Sequence, residues 1–328
     1  MSAPVSAVPV LRATHDAASK AVLDEIVPLR YERAAHDRHE LPPHVRAASA
    51  LRRLAHRLVI VQDDVDAFAE RDAAGVVRPV LLPARPSGRR VFDDAGGNKH
   101  EKLDLEACVA LADGRLVAFG SGSMPARERL VVWNGAEPAV VIDARAVYAE
   151  LRNAVTDGET RLNLEGAVVA DGRLVLFHRG NDVPRGAGEP VNAIAELALD
   201  DLVSWLDRAG APPRVAKTTR VDLGAIDGVP FGFTDAVAID AARIVVLACA
   251  EDSACAISDG PVLGVRVGLL DERGLRMADV YETDGKPTRL KLEGIERRAA
   301  SESEFDVVAD VDRPDAAARL GRLVWEWR

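Results

Sequence analysis

Cysteine is scarce in this chain of 328 residues, which contains three cysteines and no C-x-x-C pair. A disulfide framework or a thiolate zinc site is therefore not expected, and a reducing compartment fits this usage best. No apolar run reaches the roughly 18 residues of a membrane-spanning helix, and the N-terminus lacks a basic stretch followed by an apolar one. We therefore predict a cytoplasmic protein without a membrane segment.

Positive charge is also in short supply, because 42 lysines and arginines face 52 aspartates and glutamates, leaving a formal net charge of -10. This balance disfavours a surface that follows nucleic-acid phosphates or anionic lipids, so we expect neither nucleic acid nor membrane as a partner. Hydrophobic residues make up 48% of the chain. A chain of this composition can bury a sizeable core, and we predict a globular monomer.

A repeat organises the sequence. Copies at 104–123 and 163–181 share an acidic residue, a short apolar run, Asp-Gly-Arg-Leu-Val and a polar end, and weaker copies lie at 47–64, 233–252 and 291–312. We call the position of the shared acidic residue the repeat slot. The slots are Ser49, Glu106, Glu165, Asp235 and Glu293, separated by 57, 59, 70 and 58 residues. Such a regular period is typical of repeat architectures.

Each copy predicts a β-hairpin followed by two further strands, because two runs of β-forming residues flank a turn such as Ala-Asp-Gly. Four strands in about 60 residues are typical of a β-propeller blade. We predict an all-β fold, a single propeller of four-stranded blades with five blades, or with six if residues 1–45 hold further strands. Helical insertions are expected at Ala144–Asn153 and 199–210.

The last copy has room for only three strands before the sequence ends. An N-terminal strand, for which Ala7–Ala13 is the candidate, would complete the blade of Glu293 and close the ring, which removes an exposed sheet edge. In this interpretation, residues 1–45 form an N-terminal segment with the closing strand and a loop into the first blade. Residues 46–328 form the propeller repeats of the same domain.

The repeat slots are expected on one face of the propeller. The first strand of a blade lines the central channel, and its start lies on the same face as the end of the second strand. Carboxylates that face one another across a channel need a cation, basic partners or raised pKa values. Ca²⁺ or Mg²⁺ would suit their oxygen ligands. The candidate metal ligands are Glu106, Glu165, Asp235 and Glu293.

Recurrence of a residue also has an architectural explanation, in which its side chain bonds to the backbone of a neighbouring blade. Polar residues that belong to single copies lack this explanation and form a collar around the slots. The candidate catalytic residues are Glu106, Glu165, Lys102, Arg127 and Arg179. The candidate substrate-binding residues are Lys99, Glu101, Arg129, Asn181, Glu251, Asp252 and Asp259.

Several motifs together resemble an uncharacterised bacterial family, a domain of unknown function. They are KHEKLDLEA, GSGSMPARER, NLEGAVV, FHRGN, GFTDAVA, AEDSACAISDGPVLGVRVG and KLEG with a later ADVD. Members of that family look like β-propellers distantly similar to the phytase-like and SdiA-regulated propellers. The resemblance covers about Leu41 to Leu323, and residues 1–40 depart from the pattern. It implies the fold and a polar site built from these motifs, and it carries no established reaction.

Two functions are consistent with this pattern. The first is a metal-supported hydrolase of a small ester, lactone or phosphoester, in which Ca²⁺ or Mg²⁺ polarises a substrate oxygen while the basic residues meet negative charge. The second is a non-catalytic propeller that binds a small-molecule ligand or a protein partner in the same axial funnel. Acidic slots paired with arginines would favour the second.

Overall fold

The computed structural model describes residues 10–33, 41–85, 87–136, 138–156, 160–181, 191–208, 210–253, 260–299 and 301–327. Four antiparallel units of four strands and a fifth of three follow one another through this part of the chain, preceded by two N-terminal strands, β1 (Val10–Arg12) and β2 (Thr14–Pro28). The predicted all-β class is therefore confirmed.

The first two units contain four strands each. The first comprises β3 (Ala48–Leu54), β4 (Arg57–Gln62), β5 (Ala67–Arg71) and β6 (Val77–Leu81). The second comprises β7 (Leu105–Ala110), β8 (Leu116–Gly120), β9 (Arg129–Trp133) and β10 (Val140–Asp143). Each strand pairs with the next in sequence, so consecutive strands run antiparallel.

Three further units complete the described part of the chain. The third comprises β11 (Leu164–Ala170), β12 (Arg173–His178), β13 (Asn192–Ala198) and β14 (Val215–Asp222). After a small hairpin of β15 (Ala225–Ile226) and β16 (Val229–Pro230), the fourth comprises β17 (Gly232–Ala238), β18 (Ile244–Glu251), β19 (Val262–Asp271) and β20 (Gly274–Glu282). The fifth comprises β21 (Lys291–Arg297), β22 (Glu304–Asp310) and β23 (Arg319–Trp325).

The two predicted helical insertions are present. Helix α1 (Arg145–Val155) follows β10, and helix α2 (Leu199–Leu206) follows β13. Short 3₁₀ turns lie at Lys99–Glu101 and Pro125–Arg127. In the described part of the chain, no helix is long and apolar enough to cross a membrane.

The core lies between the units rather than in one central mass. The second strands of the first four units are mostly apolar because neighbouring units cover both of their faces; β8, for example, is buried throughout. Apolar clusters join the first unit to the second, the second to the third, the third to the fourth and the fourth to the fifth. A further cluster joins the fifth unit to the first through Leu51, Ile60, Val308 and Leu320.

The N-terminal strands lie on the outer edges of the units. Strand β1 runs parallel to β14, whereas β2 pairs antiparallel with β23 and parallel with β20. The expected position of Ala7–Ala13 beside β23 is therefore wrong for its described residues. Only Ala21 and Leu23 of β2 are fully buried, because this outer strand has one solvated face. The apolar pattern of β2 in the sequence is therefore weak.

Candidate functional site

A cavity of about 360 Å³ opens where the first strands of the units begin and their second strands end. The direction of the repeat strands in the sequence predicts polar residues on this face. Carboxylates outnumber cationic side chains among the residues that line the cavity. The carboxylates are Asp63, Asp64, Asp93, Asp94, Asp104, Glu106, Glu165, Glu251, Glu293, Asp310 and Asp312. The cationic side chains are Arg46, Lys99, Lys102, Arg127, Arg179, Lys291 and Arg313.

A β-bulge interrupts the start of every first strand. The pairing with the second strand shifts register between Ala48 and Ala50 in the first unit, and at the corresponding place in the other four. A bulge leaves one residue outside the ladder and redirects its side chain. The skipped residues are Ser49, Glu106, Glu165, Thr234 and Glu293.

The fourth slot is thus Thr234 and not Asp235. A slip of one residue turns a strand side chain to the opposite side, and the structure places Asp235 away from the cavity. Asp235 is fully buried, forms an ion pair with Arg52, and accepts a hydrogen bond from the backbone nitrogen of Ile295. Its position as a candidate metal ligand is therefore corrected, because it does not share a space with the other slots.

Ser49 and Thr234 hold neighbouring units together. The Ser49 hydroxyl donates to the carbonyl oxygen of Leu105 at 2.6 Å, and the Thr234 hydroxyl donates to that of Leu292 at 2.6 Å. Both acceptors directly precede an acidic slot of the next unit. The architectural explanation of the recurrence therefore applies to these two slots. Glu106, Glu165 and Glu293 line the cavity, as Ser49 also does.

Three carboxylates meet on the wall formed by the first two units. One oxygen from each of Asp63, Asp104 and Glu106 lies within 4.8 Å of the others. Lys102 lies between two of them, with its Nζ 2.6 Å from Asp63 and 2.5 Å from Asp104. Arg127 contacts Asp104 at 2.7 Å. Within the described part of the chain, no hydrogen bond or ion pair engages the Glu106 carboxyl.

The surroundings shift the pKa values of Asp104 and Glu106 in opposite directions. Burial opposes ionisation of Asp104, but the charges of Lys102 and Arg127 outweigh it and lower the pKa of Asp104. Burial, reinforced by the charges of Asp63, Asp104 and Glu165, raises the pKa of Glu106 well above its usual value. Adjacent carboxyls with opposite pKa shifts are a pattern found in sites of general acid–base chemistry.

The wall formed by the last three units carries a second network. Arg179 contacts Glu251 at 2.8 Å and Glu165 at 3.7 Å, and Lys291 contacts Glu293 at 3.1 Å. Burial raises the pKa of Glu165 to about 8, although Arg179 opposes this shift. Burial acts on Glu251 as well, but Lys291 and Arg179 prevail and lower its pKa. Glu165 therefore retains its proton at neutral pH, whereas Glu251 is ionised.

Arg52 crosses the channel deeper in the molecule. Its guanidinium binds both carboxylate oxygens of Asp235 at 2.9 Å and donates to carbonyl oxygens of the third, fourth and fifth units. Those acceptors are Ala167, Ala236 and Ile295. The side chain is buried throughout.

The structure brings most of the candidate residues together. Those that line the cavity are Lys99, Lys102, Glu106, Arg127, Glu165, Arg179, Asn181, Glu251 and Glu293. Glu101, Arg129 and Asp252 are not among its lining residues. Arg129 instead lies beside Asp143 at 3.8 Å, at the start of β9. Asp259 lies outside the described residues.

Several lining residues were not among the candidates. Asp104, Asn163 and Lys291 each stand two positions before an acidic slot, so strand alternation would have assigned them to the same side. Arg46 contacts Asp64 at 2.6 Å and Asp93 at 3.3 Å, and burial raises the pKa of Asp64 to about 7. Neither Arg46 nor Asp93 occupies a position that recurs in the repeat, so the repeat does not indicate them as site residues.

Residues 44–324 match a family of unknown function, DUF6929. The chain belongs to this family. The match confirms the resemblance to an uncharacterised family, while the distant similarity to phytase-like and SdiA-regulated propellers stays a prediction. No curated protein matches the sequence.

Solved structures resemble this family member in fold. A GH43 β-1,3-galactosidase is 9% identical, with a TM-score of 0.53, over 93% of this chain and 63% of that one. A glutaminyl cyclase from Myxococcus xanthus is 13% identical over 97% and 100% of the two chains, with a TM-score of 0.41. A gluconolactonase from Xanthomonas campestris is 11% identical over 93% and 97%, with a TM-score of 0.38. The first similarity supports the β-propeller fold, and at these identities none bears on activity.

Proposed function

We propose that this DUF6929 member is a hydrolase of a small ester, lactone or phosphoester, and that a divalent cation binds beside Asp63, Asp104 and Glu106. The observation that carries the proposal is the mutual approach of these three carboxylates within 4.8 Å on the cavity wall. Carboxylate oxygens are the ligands that Ca²⁺ and Mg²⁺ prefer. The donor set therefore fits such an ion, which would polarise a substrate oxygen when bound.

The side chains of the cavity supply the remaining functions. Glu165 has a pKa of about 8 in the free protein, close to neutral pH, so its carboxylate form is suited to take a proton from an attacking water. Arg127 and Arg179 are held by Asp104 and Glu251, so their guanidinium groups are fixed before a substrate arrives. They would stabilise negative charge that develops during hydrolysis.

The proposal includes a ring of five blades closed by β2. First strands of successive units contact one another in the order β3, β7, β11, β17, β21 and back to β3. Strand β2 stands where a fourth strand of the last unit belongs, antiparallel to β23. In this arrangement the cavity lies on the axis of the ring, and several units contribute carboxylates to its wall.

One observation favours the second candidate, a non-catalytic binding propeller. Lys102 contacts Asp63 and Asp104, while Arg179 and Lys291 contact the other acidic slots. These internal cations offset the carboxylate charge without a metal ion.

Calorimetric titration with Ca²⁺, Mg²⁺ and Mn²⁺ tests the cation site. Wild-type protein should bind at least one of these ions, and Glu106→Gln should weaken the affinity at least tenfold. Glu101→Gln is the matched control because Glu101 lies nearby in sequence but does not line the cavity. Hydrolysis of a panel of nitrophenyl esters, lactones and phosphoesters is then measured with and without the ion. No ion binding and no hydrolysis by the wild type would leave the binding propeller as the explanation.

A further inference from the structure

One half of the cavity holds more negative charge than its own cations offset. The last three units contribute five carboxylates that line it: Glu165, Glu251, Glu293, Asp310 and Asp312. We call this wall the acidic half. Its cationic residues are Arg179, Lys291 and Arg313, of which Arg313 pairs with Asp315 outside the cavity lining. Lys291 lies 3.1 Å from Glu293, 3.4 Å from Asp312 and 3.8 Å from Glu251, so these carboxylates share one ammonium group.

One carboxylate oxygen of Glu293 receives no hydrogen bond in the described part of the chain. Its side chain is 6% exposed, and Lys291 reaches its Oε1. Its Oε2 is buried and has no hydrogen-bond partner in the described part of the chain. A buried carboxylate oxygen without a donor has lost its hydrogen bonds to water without a replacement, which is unfavourable. A native site that keeps such an oxygen at a cavity wall is suited to a ligand that brings the donor.

We propose that the substrate of this cavity carries a positively charged amino group and that this group binds in the acidic half against Glu293. The proposal rests on the proposed function for the use of the cavity as a substrate site, but it does not depend on the metal ion. An ammonium group supplies donors for Glu293 and Glu165 and also adds positive charge to that of Arg179, Lys291 and Arg313.

Other ligand classes fit the acidic half less well. An anion would be repelled by the ionised carboxylates of the acidic half, such as Glu251. A neutral polyol supplies donors but leaves the charge balance unchanged. Protons now perform part of that balance, because burial raises the pKa of Glu165 to about 8 and also raises the pKa of Glu293. A cationic ligand should displace these protons when it binds.

Three probes with the same four-carbon skeleton separate these classes: 1,4-diaminobutane, 1,4-butanediol and succinate. Binding is measured by calorimetry on the full chain at physiological ionic strength with EDTA present, so that no divalent ion contributes. We expect the diamine to bind at least tenfold more tightly than the diol, with no detectable binding of succinate. Titrations in two buffers of different ionisation enthalpy should show that diamine binding releases protons at pH 7.

Charge-removing variants locate the diamine. Glu293→Gln should weaken its affinity at least tenfold, and Glu165→Gln provides a second test if the first variant fails to fold. Glu272→Gln is the matched control, because Glu272 is exposed in the turn between β19 and β20, at the opposite end of the strands. Its affinity should equal that of the wild type.

The outcomes distinguish this proposal from the proposed function. Equal affinities for diamine and diol, or wild-type diamine affinity in both Glu293→Gln and Glu165→Gln, would overturn the amino-group subsite even if the protein bound Ca²⁺ and hydrolysed esters. Diamine binding that depends on Glu293, in a protein that binds no divalent ion and hydrolyses nothing, would support the subsite and reject the hydrolase.

Discussion

Arg52 and Asp235 form a bidentate ion pair inside the channel, with each guanidinium nitrogen 2.9 Å from a different carboxylate oxygen. The partners come from β3 and β17, which belong to the first and fourth units. The same guanidinium also donates to carbonyl oxygens of the third, fourth and fifth units. One side chain therefore connects four units around the axis below the cavity.

Removing this guanidinium should strongly destabilise the fold. Arg52→Met leaves Asp235 as an uncompensated buried charge, which costs about 3–5 kcal/mol in comparable pairs. Urea unfolding measures the loss. The double variant Arg52→Met/Asp235→Asn should recover part of it, because no unpaired charge remains.

Arg145→Met is the control for that experiment. Arg145 also pairs with an aspartate, Asp143, but its side chain is 67% exposed. Exposed pairs contribute little to stability, so no measurable change is expected. An Arg52→Met protein as stable as Arg145→Met would show that the channel pair is not a stabilising contact.

Lys102 should compete with a divalent ion for the same carboxylates. Its ammonium group lies 2.6 Å from Asp63 and 2.5 Å from Asp104, next to Glu106. Lys102→Met removes this internal cation, so the ion-free protein should melt at a lower temperature and Ca²⁺ affinity should rise at least tenfold. Calorimetry and melts with and without Ca²⁺ measure both effects. Lys99→Met is the control, since Lys99 contacts Asp94 rather than this cluster. Unchanged or weaker Ca²⁺ binding by Lys102→Met would contradict the competition.

Protonation of Glu165 should make stability fall with rising pH. Its pKa is about 8 in the folded protein against an ordinary value of 4.5. Between these two values the folded state holds a proton that the unfolded state has lost, so the free energy of unfolding decreases as the pH rises. The contribution is fully present below about pH 4.5 and is lost once the pH passes about 8.

Glu165→Gln isolates this contribution, because glutamine resembles the protonated acid and does not titrate. Wild type and variant should have similar stability near pH 5, and the variant should become the more stable protein towards pH 9. The slope of the difference cannot exceed about 1.4 kcal/mol per pH unit for one proton. Urea unfolding at several pH values measures it. A difference that does not change with pH would mean that Glu165 ionises normally in the folded state.

The repeat made the face of the cavity and its acidic slots predictable, because strand direction and a regular period both follow from sequence. The repeat predicts Asp235 as the fourth slot because acidic residues occupy three of the other slots, whereas the threonine of Phe-Thr-Asp occupies the bulge. The position of a β-bulge cannot be predicted from the pattern of apolar residues. Arg52 could not be predicted as a channel residue, because its bonds join positions 115 to 243 residues away.

The pairing of β2 with β23 leads to the last prediction. Leu23 of β2 is buried in the cluster that contains Leu323 and Trp325, whereas its neighbour Val22 is 37% exposed on the other side of the strand. Gly321 on β23 makes room for Leu23, since a Cβ at that position would lie 2.9 Å from the Leu23 Cδ1. If β2 closes the ring, Leu23→Ala should lower the free energy of unfolding by about 2–5 kcal/mol. Val22→Ala, the matched control, should change it by no more than about 0.5 kcal/mol. Equal effects of the two substitutions in urea unfolding would show that β2 does not form part of the core and that the ring is closed in another way.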